Sequence, residues 1–224
     1  ATFFVLGWVA KRSPQLVRDI HAAGHEVACH GLTHRTVYTQ TPEVFRAETS
    51  EAKQRLEDAT GVPVRGYRAA TYSITARSLW ALDILEELGF SYDSSIFPIR
   101  HDLYGIPGSP RFAYRAASGS LLEVPITTVE YLGQRLPAGG GGYFRLLPYA
   151  LFRAAVRRVN TRDRQAAVFY CHPWEIDPGQ PRVAGVSAKS RFRHYTNLDR
   201  MESRLRRLLR DFRWGRMDEV FGVG

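Results

Sequence analysis

The sequence predicts an α/β fold in which a parallel sheet is built from strand–helix units. Short apolar segments alternate with amphipathic segments of about ten residues or more, the order typical of such sheets. Polar residues end four separate apolar segments, at His30, Arg68, Asp93 and His172. Ligands of parallel α/β folds bind beyond the carboxyl ends of the strands. We therefore expect these four residues to converge on one site.

Two strand–helix units are predicted in the first part of the chain. A serine or threonine followed by proline starts each helix, at Ser13 and Thr41, because the hydroxyl caps the helix and proline suits its first turn. Glycines end the same helices, at Gly24 and Gly61. The inward positions predicted for the second helix are Val44, Phe45, Ala52 and Leu56. The predicted strands cover residues 2–6 and 25–30, and the helices about 13–24 and 41–61.

Further units follow with less regular spacing. Residues 166–172 form the most strand-like segment of the chain, and Pro125 interrupts a long β-branched run. The glycine run 139–142 is predicted to be a loop, and it lacks the Lys-Ser/Thr ending of a phosphate-binding loop, so nucleotide binding is not predicted. The remaining predicted strands cover 64–68, 90–93 and 121–129, and the helices 75–89 and 148–159.

Composition predicts one domain over residues 1–224. Hydrophobic residues make up 44% and aromatic residues 12% of the chain, enough for a large core. No segment approaches the roughly 20 apolar residues of a membrane-spanning helix, and the N-terminus shows no signal-peptide pattern. The chain opens without Met inside a predicted strand, so we interpret it as an N-terminally truncated fragment. Two cysteines, Cys29 and Cys171, predict no disulfide framework and leave the compartment open.

The net charge of +9 is concentrated towards the C-terminus. Leu205, Leu208, Leu209 and Phe212 form one stripe of a predicted basic helix at about 196–213, whose arginines then occupy the solvated face. The arginines lack the aromatic interleaving of single-strand binders, so we predict no nucleic-acid partner. A basic module docking on an anionic polymer is kept as an alternative function.

His30 and His34 suggest a metal site. Residues four apart on a helical turn point the same way, so both imidazoles could reach one divalent ion. A catalytic zinc usually takes three protein ligands and leaves one position open. Glu123 and Asp177 are weaker candidates for a third ligand. The alternative is that one histidine caps a turn and the other is solvated.

Six motifs together resemble the polysaccharide deacetylases of carbohydrate esterase family 4. More narrowly, the chain resembles the branch found with exosortase-associated exopolysaccharide gene clusters. The resemblance implies a distorted (β/α) barrel with fewer than eight full units, whose first strand lies upstream of this chain. The motifs are residues 2–7, 30–34, 67–74, 93–98, 139–145 and 172–178.

The resemblance implies a role for each matching residue. His30 and His34 would bind the metal, most simply zinc, with cobalt or another divalent ion possible, and Arg68 would orient the catalytic carboxylate. That carboxylate, an aspartate that is both third ligand and general base, is expected upstream of Ala1, so this chain alone should bind metal poorly. His172 would be the general acid. Asp93 is a candidate partner of His172, because the family's fourth motif differs here.

The implied reaction is metal-dependent hydrolysis of N-acetyl groups on an amino-sugar polysaccharide, in exopolysaccharide or cell-envelope metabolism. A backbone N–H near Tyr72 would help to hold the oxyanion. Trp174 is placed either to stack on a sugar ring or to pack in the core. The third motif has Ala69 and Ala70 where the family usually has proline. A degenerate domain that binds carbohydrate without cleaving it is the second alternative function.

Overall fold

A computed structural model describes residues 1–116 and 119–223, which form two compact units. The first unit comprises Ala1–Pro125 and Gly215–Gly224, and the second comprises Ile126–Trp214. The single domain predicted over residues 1–224 stays a prediction.

A six-stranded sheet is the centre of the first unit. Its order is β1-β2-β3-β4-β6-β5, and each neighbouring pair is parallel except β6 with β5. The predicted α/β fold with a parallel sheet is thereby confirmed. The strands are β1 (Thr2–Val5), β2 (Glu26–Cys29), β3 (Gly66–Tyr67), β4 (Tyr92–Asp93), β5 (Tyr114–Arg115) and β6 (Leu122–Glu123). The helices are α1 (Gly7–Arg12), α2 (Pro14–Ala22), α3 (Pro42–Thr60) and α4 (Trp80–Glu87), with α9 (Met217–Val220) near the C-terminus.

Helix α3 begins and ends where the sequence predicts. The Thr41 hydroxyl accepts a hydrogen bond from the Val44 N–H at 3.4 Å, and Gly61 ends the helix with a φ of 73°, a left-handed conformation that favours glycine. Phe45 and Leu56 are buried as predicted. Val44 is not, since 37% of its surface is exposed. It lies off the stripe that Phe45, Ala52 and Leu56 form, so its predicted inward position was wrong.

Helix α1 was not predicted, because its sequence carries no cap or proline signal. Gly7 begins this helix and lies against α3, where an added Cβ would be 2.7 Å from the Cα of Ala52. The close approach of the two helices therefore depends on the absence of a side chain at residue 7.

Truncation of Leu56 is expected to destabilise the first unit strongly. Leu56→Ala should lower the free energy of unfolding by about 2–5 kcal/mol, because it removes a fully buried side chain and leaves a cavity. Val44→Ala on the same helix is the control, with an expected change within about 0.5 kcal/mol. Urea unfolding measures both. Equal losses of unfolding free energy in the two variants would show that Leu56 is no more buried than Val44.

The second unit consists of a hairpin and four helices. The hairpin pairs β7 (Thr128–Tyr131) with β8 (Gln134–Pro137), and the helices are α5 (Gly141–Leu146), α6 (Tyr149–Arg158), α7 (Ala188–Tyr195) and α8 (Met201–Asp211). Its apolar core contains Phe144, Tyr149, Phe152, Val156, Met201 and Leu208. Helix α8 lies within the predicted segment 196–213. Leu209, however, is 52% exposed, because the buried face runs through Met201 and Leu208. Among residues 1–116 and 119–223, no helix is long and apolar enough to cross a membrane.

Three sequence predictions for this region were wrong. The strand predicted at 121–129 is divided into β6 and β7, in different sheets, around Pro125, which has no N–H for a ladder. The segment 166–172 forms only one bridge, between Tyr170 and Gly140, since the Val168 N–H donates to the Thr127 hydroxyl at 2.6 Å instead of to a strand. The predicted loop at 139–142 is partly helical, because α5 begins at Gly141.

Candidate active site

Polar side chains follow the carboxyl ends of four parallel strands in the first unit. His30 comes after β2 and Arg68 after β3, while Asp93 and Glu123 end β4 and β6. The ladder continues to these residues, since the His30 N–H donates to the Val5 carbonyl and the Arg68 N–H to the Cys29 carbonyl, both at 2.9 Å. Three of the four predicted strand ends therefore lie along one sheet edge. The fourth, His172, belongs to the second unit.

His30 and His34 meet, but not on a helical turn. The two imidazole centroids are 5.2 Å apart with the rings tilted at 70°. Residues between them form an irregular loop in which Gly31 and His34 take φ values of 79° and 63°. The predicted helical spacing was wrong, because these left-handed residues turn the chain instead. The loop nonetheless brings both rings together.

The backbone of Arg68 selects which nitrogen of His30 can bind a metal. Nδ1 of His30 is 2.6 Å from the Arg68 carbonyl, which can only accept a hydrogen bond. Nδ1 therefore carries the proton, and Nε2 is the nitrogen with a lone pair for a metal, an arrangement common at metal-bound histidines. Two imidazoles suit zinc or a similar divalent ion. In residues 1–116 and 119–223, no group of three or more His, Cys, Asp or Glu side chains could hold a metal ion, so the upstream aspartate stays a prediction.

Arg68 is a buried residue of the strand edge, with 7% of its surface exposed. Its guanidinium lies 4.1 Å from the centre of the Phe4 ring and donates from Nε to the Ser94 carbonyl at 3.0 Å and from Nη2 to the Ser94 hydroxyl at 2.8 Å. Because its side chain is buried, Arg68 is not part of a surface ion pair. Its predicted orientation of a catalytic carboxylate stays a prediction.

Tyr72 lies in a strained turn after Arg68. Thr71 and Tyr72 both have positive φ values, 55° and 52°, which non-glycine residues rarely adopt. The Tyr72 N–H donates to the Ala69 carbonyl at 3.2 Å, and its ring packs against Phe97. Ala69 itself donates its N–H to the Ser95 hydroxyl at 2.8 Å, a bond that a proline at this position could not make. The alanine pair is thus compatible with an anchored turn.

Asp93 and Glu123 form a buried carboxyl pair across β4 and β6. The two residues are in register and fully buried. Asp93 Oδ1 accepts from the Ser95 hydroxyl at 2.5 Å, and Glu123 Oε1 accepts from the Ile96 N–H at 3.0 Å. Burial raises the pKa of both carboxyls, and their mutual repulsion adds to the rise at Glu123. Glu123 therefore keeps its proton to a higher pH than an exposed glutamate does, and its interaction with Asp93 contributes to that rise in pKa.

This carboxyl pair should make stability fall as pH rises. A carboxyl whose pKa is higher in the folded chain binds more protons in the folded than in the unfolded state. Its contribution to the free energy of unfolding is therefore greatest at low pH. That contribution is lost as pH rises from about 4.5 through the pKa of the folded chain. Glu123→Gln keeps an amide oxygen that can accept the Ile96 N–H and an amide N–H₂ that can donate to Asp93. It removes the carboxyl group that titrates at residue 123. We expect a smaller fall in unfolding free energy between pH 5 and about 9 than in the unmodified chain.

Urea unfolding across this pH range measures the effect, with Glu87→Gln on the exposed face of α4 as the matched control. If the free energy of unfolding falls with pH as steeply in Glu123→Gln as in the unmodified chain, a raised pKa at Glu123 would be contradicted.

In the second unit, His172 begins a short 3₁₀ turn, Pro173–Ile176, and is exposed. Its backbone N–H donates to Glu175 Oε2 at 2.9 Å, and its Nδ1 is 3.6 Å from the same oxygen. Glu175 was not singled out from the sequence, although His-Pro-x-Glu carries the spacing of a capping box. Asp93, the predicted partner, has Ser95 and Glu123 as its described partners, and its pairing with His172 stays a prediction.

Glu175 is held in turn by Arg145 of α5. Both side chains are 2% exposed, and Arg145 Nε is 3.2 Å from Glu175 Oε1. Arg145 also donates hydrogen bonds to three backbone carbonyls at the end of α7 and just beyond it, those of Arg193, His194 and Thr196. Burial alone would raise the pKa of Glu175, but hydrogen bonds from His172 and the charges of His172 and Arg145 outweigh it, so the pKa is lowered. Glu175 is therefore a carboxylate.

Trp174 is half-buried and stacks on imidazoles. Its ring centre lies 5.5 Å from that of His172 and 4.0 Å from that of His194, with interplanar angles of 17° and 13°. Burial and the charge of Arg145 lower the pKa of His194. The indole is thus neither a core residue nor an isolated surface ring, and its predicted contact with a sugar stays a prediction.

Comparison with known families divides the chain near residue 93. Residues 1–92, which include His30, His34, Arg68 and Tyr72, match the polysaccharide deacetylase family. Residues 94–222 match a domain of unknown function, DUF3473. The second match covers more than half of the chain and includes His172, Trp174 and Glu175.

Two rhizobial proteins are similar to the first part of the chain. A chitooligosaccharide deacetylase of Bradyrhizobium sp. is 33% identical over 85 residues, which are 38% of this chain and 36% of that protein. A chitooligosaccharide deacetylase of Sinorhizobium fredii is 62% identical over 85 residues, which are 38% of this chain and 37% of that protein. The chain thus matches little more than a third of the length of these relatives.

Solved structures share the fold over more of the chain. A Mycobacterium smegmatis protein assigned to the polysaccharide deacetylases is 26% identical with a TM-score of 0.50, over 75% of this chain and 56% of that one. A carbohydrate esterase family 4 pseudoenzyme of Bacillus anthracis has the same fold at 16% identity and a TM-score of 0.52, over 98% of this chain and 54% of that one. The chain belongs to the family of the domain DUF3473 through residues 94–222, and its residues 1–92 match the polysaccharide deacetylases.

Proposed function

We propose that this protein removes N-acetyl groups from an amino-sugar polysaccharide by metal-dependent hydrolysis. The observation that carries the proposal is the imidazole pair of His30 and His34, with Nδ1 of His30 bonded to the Arg68 carbonyl. This pair lies in the segment that matches the polysaccharide deacetylases. The two imidazoles, of which that of His30 has its tautomer fixed, would supply two of the three protein ligands that a hydrolytic zinc site usually has.

His30 and His34 would hold the metal through nitrogen, with zinc or cobalt as the first ions to test. A divalent metal in such a site polarises an amide carbonyl and makes water more acidic. An aspartate preceding the motif at residues 2–7, implied by the family resemblance, would complete the ligand set and accept a proton from water. Arg68, buried at the same sheet edge, would orient that aspartate.

The second half of the reaction requires a proton for the departing amine. His172 is exposed and its Nδ1 faces the Glu175 carboxylate, so it could donate a proton from Nε2. Trp174 beside it would contact a sugar ring, and the turn at Tyr72 would bind the acetyl end of the substrate. With these roles, the bond that breaks is the amide bond between the acetyl group and the sugar nitrogen, and the sugar hydroxyls do not react.

The names of the relatives suggest which glycan to test first. Chitooligosaccharides are chains of N-acetylglucosamine, and the rhizobial relatives are deacetylases of these compounds. We therefore propose an N-acetylated amino-sugar oligomer or polymer as the substrate class. A role in exopolysaccharide or cell-envelope glycan metabolism is the wider proposal.

Acetate release tests this function directly. The full-length protein is incubated with N-acetylated chitooligosaccharides, and with other N-acetylated glycans, before and after removal of metal by a chelator. We expect release that the chelator stops and that added zinc or cobalt restores. Binding of the glycans without acetate release from any of them would instead support the degenerate carbohydrate-binding domain.

A further inference from the structure

The turn that begins at His172 contains its own carboxylate. Glu175 lies three residues later, and its Oε2 atom accepts the His172 backbone N–H at 2.9 Å and lies 3.6 Å from Nδ1 of the imidazole. Pro173 follows His172 directly and suits the first position of the turn. One carboxylate oxygen therefore holds the backbone N–H of His172 and lies near its ring nitrogen.

The position of Glu175 is fixed from the opposite side by α5. Arg145 contacts its Oε1 atom, so the two carboxylate oxygens have different partners. Gly141 at the start of the same helix leaves space for the carboxylate, since an added Cβ would lie 2.2 Å from Oε2. Two motifs about 30 residues apart in the chain, the glycine run with its arginine and the His-Pro-Trp-Glu turn, thus form one structural unit.

The charges that face Glu175 favour its ionised form. Arg145 is the cation on α5, and His172 lies on its own turn. His194 on α7 also acts on it electrostatically, and the adjacent thiol of Cys171 is kept protonated because burial and the Glu175 charge raise its pKa to about 11. A carboxylate in this position can accept a hydrogen bond from Nδ1–H of His172 but cannot donate one.

We propose that Glu175, held by Arg145, is the positioning residue for His172, fixing the neutral ring with its proton on Nδ1 and stabilising the imidazolium. The inference rests on the proposed deacetylase function, in which His172 is the general acid. In the proton-transfer step, the Nε2–H bond of the imidazolium breaks and the leaving amine nitrogen takes the proton as its bond to the acetyl carbon breaks. The ring that remains is neutral and keeps its Nδ1–H towards Glu175, as in other histidines oriented by carboxylates.

Asp93, the partner predicted for His172, is a second buried acid, but its neighbour across the sheet is the carboxyl of Glu123. Burial raises the pKa of both Asp93 and Glu123, so both carboxyls hold their protons to a higher pH than exposed carboxyls do. Glu175 pairs with a guanidinium and is an anion within reach of an imidazole nitrogen. The charge of Glu175 and its distance from Nδ1 therefore favour Glu175 as the residue that orients His172.

Two substrates with different leaving groups separate this role from a structural one. Departure of a sugar amine needs a proton, whereas departure of p-nitrophenolate from an aryl acetate does not. Glu175→Gln keeps the size of the side chain and removes the charge. In the full-length, metal-loaded protein, we expect it to lower kcat for acetate release from N-acetylated chitooligosaccharides by roughly 10- to 100-fold and to change the rate with p-nitrophenyl acetate less than about 3-fold.

Three further variants complete the experiment. His172→Asn should show the same substrate pattern, and the double variant His172→Asn/Glu175→Gln should lose no more than His172→Asn alone, because the two residues act as one. Glu202→Gln, on the exposed face of α8, is the matched control with no change expected. Equal losses of Glu175→Gln with both substrates, or no loss with either, would overturn the proposal.

The ring of His172 provides a readout that does not depend on activity. In ¹⁵N spectra, the neutral ring should carry its proton on Nδ1 in the unmodified protein and should lose that preference in Glu175→Gln. A ring with its proton on Nε2 in the unmodified protein would overturn the proposal. If the protein releases no acetate but its Nδ1 proton depends on Glu175, the deacetylase function fails while the positioning of His172 holds.

Discussion

Replacing His30 by alanine is expected to abolish tight binding of zinc. His30 is the imidazole whose tautomer the Arg68 carbonyl selects, so the variant removes a ring that is oriented before any metal binds. Loss of an outer-shell partner alone typically costs 10- to 100-fold in metal affinity, and loss of a ligand should cost more than roughly 100-fold. His34→Ala should have an effect of similar size, since its ring lies against that of His30.

Equilibrium dialysis of the full-length protein against zinc, followed by metal analysis, measures this affinity without relying on catalysis. His21→Ala on α2 is the matched control, because it removes an imidazole outside the pair. Zinc affinity in His30→Ala that equals that of the control would show that the imidazole pair is not the metal site.

Removal of the Arg145 side chain is expected to have the largest effect on the stability of the second unit. Arg145→Met leaves the Glu175 carboxylate buried without its cation and three backbone carbonyls without their donor. Breaking one partner of a buried ion pair typically costs about 3–5 kcal/mol, because the remaining charge is uncompensated. Arg206→Met removes an exposed partner of Glu202 on α8 and should cost less than about 1 kcal/mol.

Urea unfolding followed by tryptophan fluorescence suits this comparison, since Trp174 and Trp214 both lie in the second unit. The double variant Arg145→Met/Glu175→Gln should be more stable than Arg145→Met, because it no longer buries a lone charge. If Arg145→Met unfolds at the same urea concentration as Arg206→Met, the buried pair contributes no more than a surface pair.

Local signals in the sequence predicted the parts of the fold that local physics decides. The Thr41-Pro42 start and the Gly61 end of α3 act within one turn of the chain, and the structure has both. The proximity of His30 and His34 was also predictable from their spacing, whereas the conformation was not. It depends on left-handed backbone angles at Gly31 and His34, for which residue type is only a weak guide.

Contacts between distant residues account for most of what was missed. The Arg145–Glu175 pair joins residues 30 positions apart, and neither residue has a local pattern that names the other. Glu123 lies in a run interrupted by proline, so its register with Asp93 could not be predicted without knowing where the strand ends. The segment 166–172 has strong β propensity, but the Thr127 hydroxyl takes one of its backbone donors.

The glycine at position 141 has a consequence for related chains. Because a methyl group there would overlap the carboxylate of residue 175, these two positions cannot vary independently. A relative with alanine or any larger residue at 141 should carry a shorter or neutral side chain at 175, and its histidine would then lack this carboxylate. Co-variation between these positions would therefore sort the family into members whose histidine has a local anion and members that must obtain one elsewhere.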